Sequence, residues 1–336
     1  MSNADELRVS LIEESTPGVT PATPTMLVLP TTGQSLQDIV RYVESRTIRN
    51  NRNVADAQRV SRSSGGGLPC EMRWASSTEA LYHIIRAALC AAENAEVTVS
   101  GGTPNCTVIG DTGFVQRFDG VTWESSGVLQ GDIVRFELTG LGVDNGAYGI
   151  VIETAGTDMQ VWIGRNFNAT VAGVTVRRGA RMDNGTTHRH YSIEVSRLDI
   201  GKHYLLKKQV INTLDLSVSV GGISTLNFGT VGGATTRGNS AIGSAYTDPV
   251  NRPVMDSVNV PLMLVAAGAY DMSNFGLNIT NNAVPRERIG LDSVGTIRRG
   301  KFRVTGNAEW YFDGFTEFDK FVENQASYAV FVQQDA

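Results

Sequence analysis

The chain has 336 residues, of which 41% are hydrophobic and 19% are charged, and this balance excludes a disordered protein and allows two or three compact domains. The net charge of −5 argues against broad affinity for nucleic acid through phosphate contacts. No stretch is long and apolar enough for a transmembrane helix. The 36 glycines, most of them beside Asn, Asp, Ser or Thr, indicate many short turns and therefore a mainly β protein.

The N-terminal region predicts an extended segment, a strand and a polar arm. Three prolines exclude a helix over residues 13–24, which we interpret as an extended arm or wrapping loop. Residues 36–48 contain a predicted strand, and an arm rich in Arg and Asn follows over residues 46–62. The glycine triplet 65–67 is expected to close this arm, and a strand is predicted over residues 68–74.

The strongest helix signal begins at Ser76. Ser76 and Glu79 have the spacing of a capping box. The apolar residues that follow recur on one face at helical spacing: Leu81, Ile84, Ile85, Ala88 and Leu89. We therefore expect an amphipathic helix that lies on a sheet.

Residues 97–200 predict an inserted β-module. Short apolar runs flank Asp119-Gly120, which is the dipeptide most typical of a two-residue hairpin. Further strands are predicted over residues 131–136, 148–152 and 159–163. Short strands at close spacing, separated by turn signals, indicate a small barrel or sandwich.

Longer strands return after residue 200, and the end of the chain resembles its beginning. In both parts a polar arm, a glycine and a strand ending in Trp74 or Trp310 precede a helical segment. This order predicts a first unit over residues 1–96, the inserted module 97–200, and a second part over residues 201–336 that is a pseudo-repeat of the first.

No motif of an enzyme or a metal site is found. Residues 233–240 resemble a phosphate-binding loop, but Asn239 stands where the motif needs Lys. His188 and His190 would share one face of a strand, but no Cys, Asp or Glu cluster is near enough to complete a metal site. We therefore expect no catalytic, cofactor-binding or metal-binding residues, and no enzymatic activity.

Several short motifs, taken in order, resemble the tail tube proteins of long-tailed bacteriophages (siphophages). The motifs are the opening from Glu13 to Pro24, Glu44-Ser45-Arg46, Gly131-Asp132-Ile133-Val134 with Asn145-Gly146-Ala147-Tyr148, Asn281-Asn282, and Gly300 with Trp310-Tyr311-Phe312. The resemblance covers nearly the whole chain. It implies a mainly β fold with tail-tube-like sandwich or barrel units, an amphipathic helix, two pseudo-repeats and an inserted β-domain.

The resemblance also implies a structural protein of the virion tail, made in the host cytoplasm, whose sheets join edge to edge into rings. Closure of a ring removes exposed strand edges, and stacking of rings gives a filament. With two copies of the unit per chain the ring would be a trimer of six-fold pseudo-symmetry, and with one copy a hexamer. The expected partners are further copies of the chain, the tape-measure protein and phage DNA in the lumen, and the tail terminator and tail tip proteins, without a membrane.

Two polar segments, residues 15–25 and 46–64, are expected to contact neighbouring subunits. The expected interface residues are Glu14, Thr16, Pro17, Pro21, Glu44, Arg46, Arg49, Arg52, Asp56, Arg59, Arg286 and Arg288. The inward face of the tube is expected to carry more Asp and Glu than Arg and Lys, because cations would hold the phosphates of the DNA. The basic pairs Arg177-Arg178 and Arg298-Arg299 are expected on outer or inter-subunit surfaces, where they would face carboxylates of a neighbour.

Two alternatives remain open at this point. The chain could be another β-rich virion protein, a tail terminator or a decoration protein, which would not form filaments. It could also be a receptor-binding adhesin module in which the insert presents loops to a receptor.

Overall fold

The computed structural model describes residues 6–46, 57–99, 105–109, 112–137, 147–162, 171–258, 262–265, 268–269, 272–311 and 329–332. The chain divides into two compact units, one formed by Met1–Ala91 with Asn184–Ala336 and the other by Ala92–Asp183. Strands predominate, and the described residues contain one α-helix, so the predicted mainly β fold class is confirmed. In this part of the chain, no helix has the length and apolar character needed to cross a membrane.

The elements are numbered in chain order. The first segment of the first unit contains β1 (Leu7–Glu14), β2 (Thr25–Val28), β3 (Gln37–Glu44), β4 (Ala57–Glu71) and α1 (Ala80–Ala88). The second unit contains β5 (Glu93–Asn94), β6 (Val97–Val99), β7 (Asn105–Ile109), β8 (Thr112–Gln116), β9 (Ile133–Glu137), β10 (Tyr148–Ala155), β11 (Asp158–Trp162), β12 (Val171–Ala172), β13 (Thr175–Arg178) and β14 (Arg181–Met182). The remainder of the first unit contains β15 (His190–Arg197), β16 (Lys202–Ser219), β17 (Thr225–Gly232), β18 (Thr235–Gly238), β19 (Ala245–Thr247), β20 (Leu262–Val265), β21 (Gly268–Ala269), β22 (Met272–Thr280), β23 (Val284–Arg286), β24 (Thr296–Arg298), β25 (Arg303–Trp310) and β26 (Ala329–Val332).

The first unit is built around the long strand β16. Its C-terminal half lies inside a sheet of order β3-β4-β17-β16-β22-β25, in which every neighbouring pair is antiparallel. We call this the six-stranded sheet. The N-terminal half of β16 pairs instead with β15 and β18, and β1, β2 and β19 continue beyond β15. Strand β16 therefore belongs both to the six-stranded sheet and to the layer that contains β15, β1 and β2.

The core of the first unit lies between these layers and α1. Strand residues such as Leu68, Phe228 and Ile193 pack with the apolar face of α1, where Leu81 and Ile84 are fully buried. Burial of each such side chain contributes about 1.5–3 kcal/mol. The predicted amphipathic helix is therefore present, and it lies on a sheet as expected.

The N-terminus of α1 differs in detail from the predicted capping box. The helix begins at Ala80, after Glu79 rather than after Ser76, and the Glu79 side chain does not cap the helix N–H groups. Its carboxylate accepts hydrogen bonds from the backbone N–H of Ser76 at 2.6 Å and of Val250 at 3.1 Å. Burial raises the pKa of Glu79, but these hydrogen bonds outweigh it, and the pKa lies below its ordinary value.

The glycine triplet does not close an arm, because residues 65–67 lie inside β4. A Cβ atom on Gly65 would collide with the carbonyl oxygen of Thr230, and one on Gly66 with that of Ser35. Glycine is therefore needed where the backbone of β4 approaches its neighbours closely.

The second unit is a β-module with its own core. Its main sheet has the order β12-β7-β8-β11-β10-β9-β13-β6, and Trp123, Phe136 and Met159 are fully buried inside it. The hairpin predicted at Asp119-Gly120 is wrong, since no strand follows this dipeptide and a 3₁₀ turn forms at Glu124–Ser126. The Asp119 carboxylate accepts hydrogen bonds from Arg117 and from the backbone N–H of Val121, which stabilise a local turn in place of a hairpin.

The boundaries of the compact units differ from the expected divisions 1–96, 97–200 and 201–336. The second unit ends at Asp183, and β15 pairs with β1 along its whole length inside the first unit. The two chain segments that flank the second unit meet, because the Gly185 N–H donates to the Leu89 carbonyl at 3.1 Å. The expected boundary at residue 200 was too late because β15 follows the second unit closely and looks like one more of its short strands.

Candidate subunit interfaces and conduit face

The proline-containing segment after β1 is folded onto its own unit. The Glu14 carboxylate is buried and accepts hydrogen bonds from the backbone N–H groups of Gly18 at 2.5 Å and Lys208 at 2.9 Å, and from Ser192 Oγ at 2.8 Å. The Pro24 carbonyl accepts from the Ser244 N–H at 2.9 Å. The Glu14 carboxylate therefore binds groups of its own unit.

Three further interface predictions fall on the same segment. Thr16 and Pro17 are exposed, while Pro21 is half-buried. Contact with a neighbouring subunit stays a prediction for these residues.

The second predicted arm is the outer end of a long hairpin. Strand β4 has 15 residues and extends beyond the end of β17, and the extension pairs with β3. All described residues of this extension from Arg41 to Arg46 and from Ala57 to Val60 are exposed, Glu44 and Arg46 included. Arg49, Arg52 and Asp56 lie outside the described residues.

A second hairpin, β23–β24, lies beside this extension. Arg59 forms an ion pair with Asp292 at 2.5 Å, and both side chains are about half exposed. Arg286 and Arg288 are exposed on the same hairpin. We call the outer parts of β3 and β4 together with residues 284–298 the arm end; its exposed apolar residues are Val43, Val60, Val284, Ile289 and Leu291. The structure thus brings together two predicted arms that lie more than 200 positions apart in the sequence.

A charge cluster fixes β3 to the body of the sheet. The Asp38 carboxylate contacts Arg62 at 2.8 Å and Arg237 at 3.1 Å, and it accepts a hydrogen bond from Thr235. Burial raises the pKa of Asp38, but the hydrogen bonds from Arg62 and Thr235 outweigh it and leave the pKa below its ordinary value. A groove of about 650 Å³ beside this cluster is lined by residues of β3, β16 and β18.

One face of the six-stranded sheet is not covered by the core and carries small polar side chains. We call it the open face. Its residues align across the strands in three rows: Pro69, Asn227, Asp215, Asn278 and Thr305; Glu71, Thr225, Ser217, Gly276 and Asn307; and Gly67, Gly229, Thr213, Thr280 and Arg303. The alternate residues, including Leu214, Leu226 and Phe228, point into the core. Strand periodicity therefore separates a polar open face from an apolar core face.

The open face carries few charges. On its four inner strands the described charged residues are Glu71 and Asp215, and no Lys or Arg is present there. The edge strands add Glu309, Arg303 and Arg41. Asn278 donates a hydrogen bond to Asp215, so neighbouring strands are also joined through side chains. A face of this kind is hydrated, slightly acidic and free of clustered cations.

Of the four arginines in the two basic pairs, Arg177 and Arg178 are matched within their own chain. Arg177 contacts Glu137 at 2.7 Å, and the Arg178 side chain is buried and donates to the Ala95 carbonyl at 2.8 Å. Arg298 is exposed, whereas Arg299 is half-buried and donates to the Ala87 carbonyl at 3.4 Å. The expectation that these pairs face carboxylates of a neighbour finds no support at Arg177 or Arg178, because those side chains already have partners.

The described residues contain no group of three or more His, Cys, Asp or Glu side chains that could hold a metal ion. The stretch that resembles a phosphate-binding loop is largely strand β18, which pairs with β16. Asn239 accepts a hydrogen bond from Lys202 at 2.7 Å. Its surroundings are therefore those of a sheet edge rather than of a loop that opens a helix.

The open face was not predicted from the sequence. The signal was available in the Ser, Thr and Asn residues that alternate with apolar residues over β16, β17 and β22. The sequence does not show that β16, β17 and β22 are neighbours in one sheet, or that their polar residues therefore share one face of it.

Comparison with known families gives a match to the family described as phage tail tube protein, over residues 5–335. Comparison with curated proteins gives no match. The family match spans nearly the whole chain, and the β-rich fold agrees with it. The chain therefore belongs to the phage tail tube protein family and is a structural component of the virion tail.

Proposed function

We propose that this protein forms rings that stack into the hollow tail tube, with the open face of the six-stranded sheet lining the lumen. The observation that carries the proposal is the composition of that face, which is small, polar and without Lys or Arg on its four inner strands. DNA that passes such a wall meets hydrated side chains and weak repulsion. A cationic wall would hold the phosphates through counterion release.

Pairing in the second half of the first unit supports a ring of three chains with six-fold pseudo-symmetry. In the first part of the chain, the antiparallel pair β3·β4 lies in sequence between the two strands of the pair β1·β15. In the last part, the antiparallel pair β22·β25 lies in the same way between the two strands of the pair β20·β26. The predicted helical turn 316–322, which would correspond to α1, lies outside the described residues. A hexamer of single units is the alternative, and the mass of the purified ring distinguishes the two.

Stacking of rings is assigned to the two ends of the six-stranded sheet. The arm end presents exposed apolar residues at one end, and Val220, Ile223 and Val258 are exposed at the other. Because the two ends differ, their contact is heterologous and does not close, which produces a filament. The tail terminator and tail tip proteins would bind the last ring at either end, and the tape-measure protein and DNA would occupy the lumen.

The protein is proposed to be made in the host cytoplasm and to have no enzymatic activity. Formation of filaments separates this function from that of a tail terminator, which forms one ring and stops. Negative-stain electron microscopy of the purified protein should show tubes. A species that stays monomeric at every protein concentration and salt concentration would contradict the proposal.

The lumen assignment is tested with one exposed position on the open face. Ser217→Lys in phage particles should slow DNA ejection, whereas Ser217→Glu, a substitution of similar bulk and opposite charge, should not. The two variants should form tubes of equal length by electron microscopy. If both variants eject DNA at the wild-type rate, the open face does not line the lumen.

A further inference from the structure

We propose that the groove beside Asp38 is a binding site for a dianionic phosphate group, either free phosphate or a phosphate monoester of a small molecule. The groove has a volume of about 650 Å³, and its lining residues all belong to the first unit. Three cationic side chains lie along it: Arg197, Lys202 and Arg237. This binding site is independent of ring formation and goes beyond the proposed structural role.

The register of the strands brings the three cations to one face. Arg197 on β15 lies directly opposite Lys202 on β16, and Arg237 on β18 lies directly opposite Tyr204. Lys202 and Tyr204 are two residues apart on one strand, so their side chains share a face. Direct cross-strand neighbours lie about 4.5–5.5 Å apart and diagonal ones about 7–8 Å. The three long side chains therefore reach a common bound group.

The positive charge of the groove is not balanced by carboxylates of the chain. Among the described residues, no hydrogen bond or ion pair holds the Arg197 side chain. Its position opposite Lys202 is a like-charge pair, which is destabilising. Asp38 has the one carboxylate among the described lining residues, and it is already contacted by Arg62 at 2.8 Å and by Arg237 at 3.1 Å. A bound dianion would offset the excess positive charge.

The number and type of cations favour phosphate over a carboxylate. A phosphate monoester carries about −1.5 to −2 charges at pH 7 and has three acceptor oxygens. A carboxylate has a single charge, which one guanidinium group matches. Guanidinium groups bind phosphate through parallel N–H donors, whereas an ammonium group binds it as a point charge. Two arginines and one lysine around a common position therefore match a phosphate dianion.

Internal contacts hold two of the cations in place before a ligand binds. The Arg237 guanidinium contacts Asp38 and lies 5.5 Å from the centre of the Tyr204 ring. Lys202 Nζ donates to Asn239 Oδ1 at 2.7 Å. Asn239 stands where a phosphate-binding loop has its lysine, so Lys202 brings an ammonium group next to that position from another strand. Preorganised groups lose less entropy when a ligand binds.

The remainder of the groove has room for an organic group. Its volume lies in the range of small-molecule sites, which is about 300–1,000 Å³. Buried Leu36 and Val195 form an apolar floor, and amide side chains line the walls: Gln34, Gln37 and Asn239. The His203 side chain contacts Ser196 on the opposite face of β16 and is not a candidate ligand.

This site does not change the charge of the open face. Arg197 and Lys202 lie where β15 pairs with the N-terminal half of β16, and Arg237 lies on β18. These three parts of the chain are outside the six-stranded sheet. The cations therefore leave the open face without clustered positive charge.

Isothermal titration calorimetry of the full chain in phosphate-free buffer tests the site with four probes: AMP, inorganic phosphate, cyclic AMP and adenosine. AMP and inorganic phosphate should bind. Cyclic AMP has one negative charge and adenosine has none, so both should bind at least about tenfold more weakly than AMP. Tighter binding of AMP than of inorganic phosphate assigns the site to a phosphate monoester, and equal affinity assigns it to free phosphate.

Variants show whether the groove is the place of binding. Arg197→Gln and Lys202→Gln should each weaken binding of AMP at least about tenfold, because each removes a charge-assisted hydrogen bond. The thermal unfolding midpoint of Arg197→Gln should stay within about 1 °C of wild type, since this side chain has no partner in the described part of the chain. Arg135→Gln is the matched control, because Arg135 is also an exposed arginine on a strand but lies in the second unit. Its affinity for AMP should equal that of wild type.

Three results would overturn the proposal. The first is equal binding of AMP and adenosine, and the second is equal binding of AMP to wild type and to Arg197→Gln. The third is the absence of binding of both AMP and inorganic phosphate at millimolar concentration. Tighter binding of a short single-stranded DNA oligonucleotide than of AMP would assign the groove to a nucleic-acid backbone and would also overturn it. None of these results depends on tubes, so this proposal and the proposed function fail separately.

Discussion

Replacement of Ile289 by Ser should weaken stacking of rings while leaving the subunit folded. Ile289 lies on the β23–β24 hairpin of the arm end and is fully exposed, so its truncation removes no contact within the chain. If stacking buries it, the side chain contributes about 1.5–3 kcal/mol in each chain. The proposed ring of three chains makes three such contacts at once, so stacking weakens by about 4.5–9 kcal/mol in total. Because about 1.4 kcal/mol is a factor of ten, the protein concentration needed for tubes should rise at least about a thousandfold.

Sedimentation of a dilution series, with electron microscopy of the pellets, measures that concentration. The thermal unfolding midpoint should stay within about 1 °C of wild type, since exposed side chains contribute little to folding. Phe118→Ser is the matched control, because Phe118 in the second unit is also a large apolar residue and exposes 56% of its surface. Tubes of Ile289→Ser that form at the wild-type concentration would refute the assignment of stacking to the arm end.

Three further predictions concern the subunit. Replacing residues 92–183 by a short Gly/Ser linker should leave a folded chain that still assembles. Removing residues 97–200 should instead unfold the chain, because β15 is lost from its pairing with β1. Circular dichroism measures the folding of both variants, and electron microscopy shows whether tubes form. The pKa of Glu79 is lower in the folded state, so its contribution to stability is present above about pH 4.5 and is lost as the pH falls further; calorimetry should show a smaller loss between pH 7 and pH 4 for Glu79→Gln than for wild type. Burial raises the pKa of Cys70 to about 12, so iodoacetamide at pH 8 should label this thiol only after denaturation, and labelling of the native protein would show that β4 opens.

Features that depend on residues close together in the chain could be predicted from the sequence. The periodicity from Leu81 to Leu89 predicts α1 and the face that it buries, and this holds because helical neighbours are three and four positions apart. Short apolar runs bounded by turn signals predicted several strands, and those over residues 131–136, 148–152 and 159–163 correspond to β9, β10 and β11. The order of short motifs led to the family, because it depends on the whole chain and not on any single contact.

The neighbours of each strand, by contrast, could be identified only from the fold. Leu68 lies opposite Phe228, and Leu214 opposite Ile279, so each pairing depends on residues far apart in the sequence. The same holds for Glu14, whose carboxylate is bound by Ser192 and Lys208 and is therefore buried rather than available to a neighbour. Strand pairing is selected by burial of complementary faces, and a single sequence does not state which faces meet. For this reason the open face of the six-stranded sheet could be recognised only from the fold.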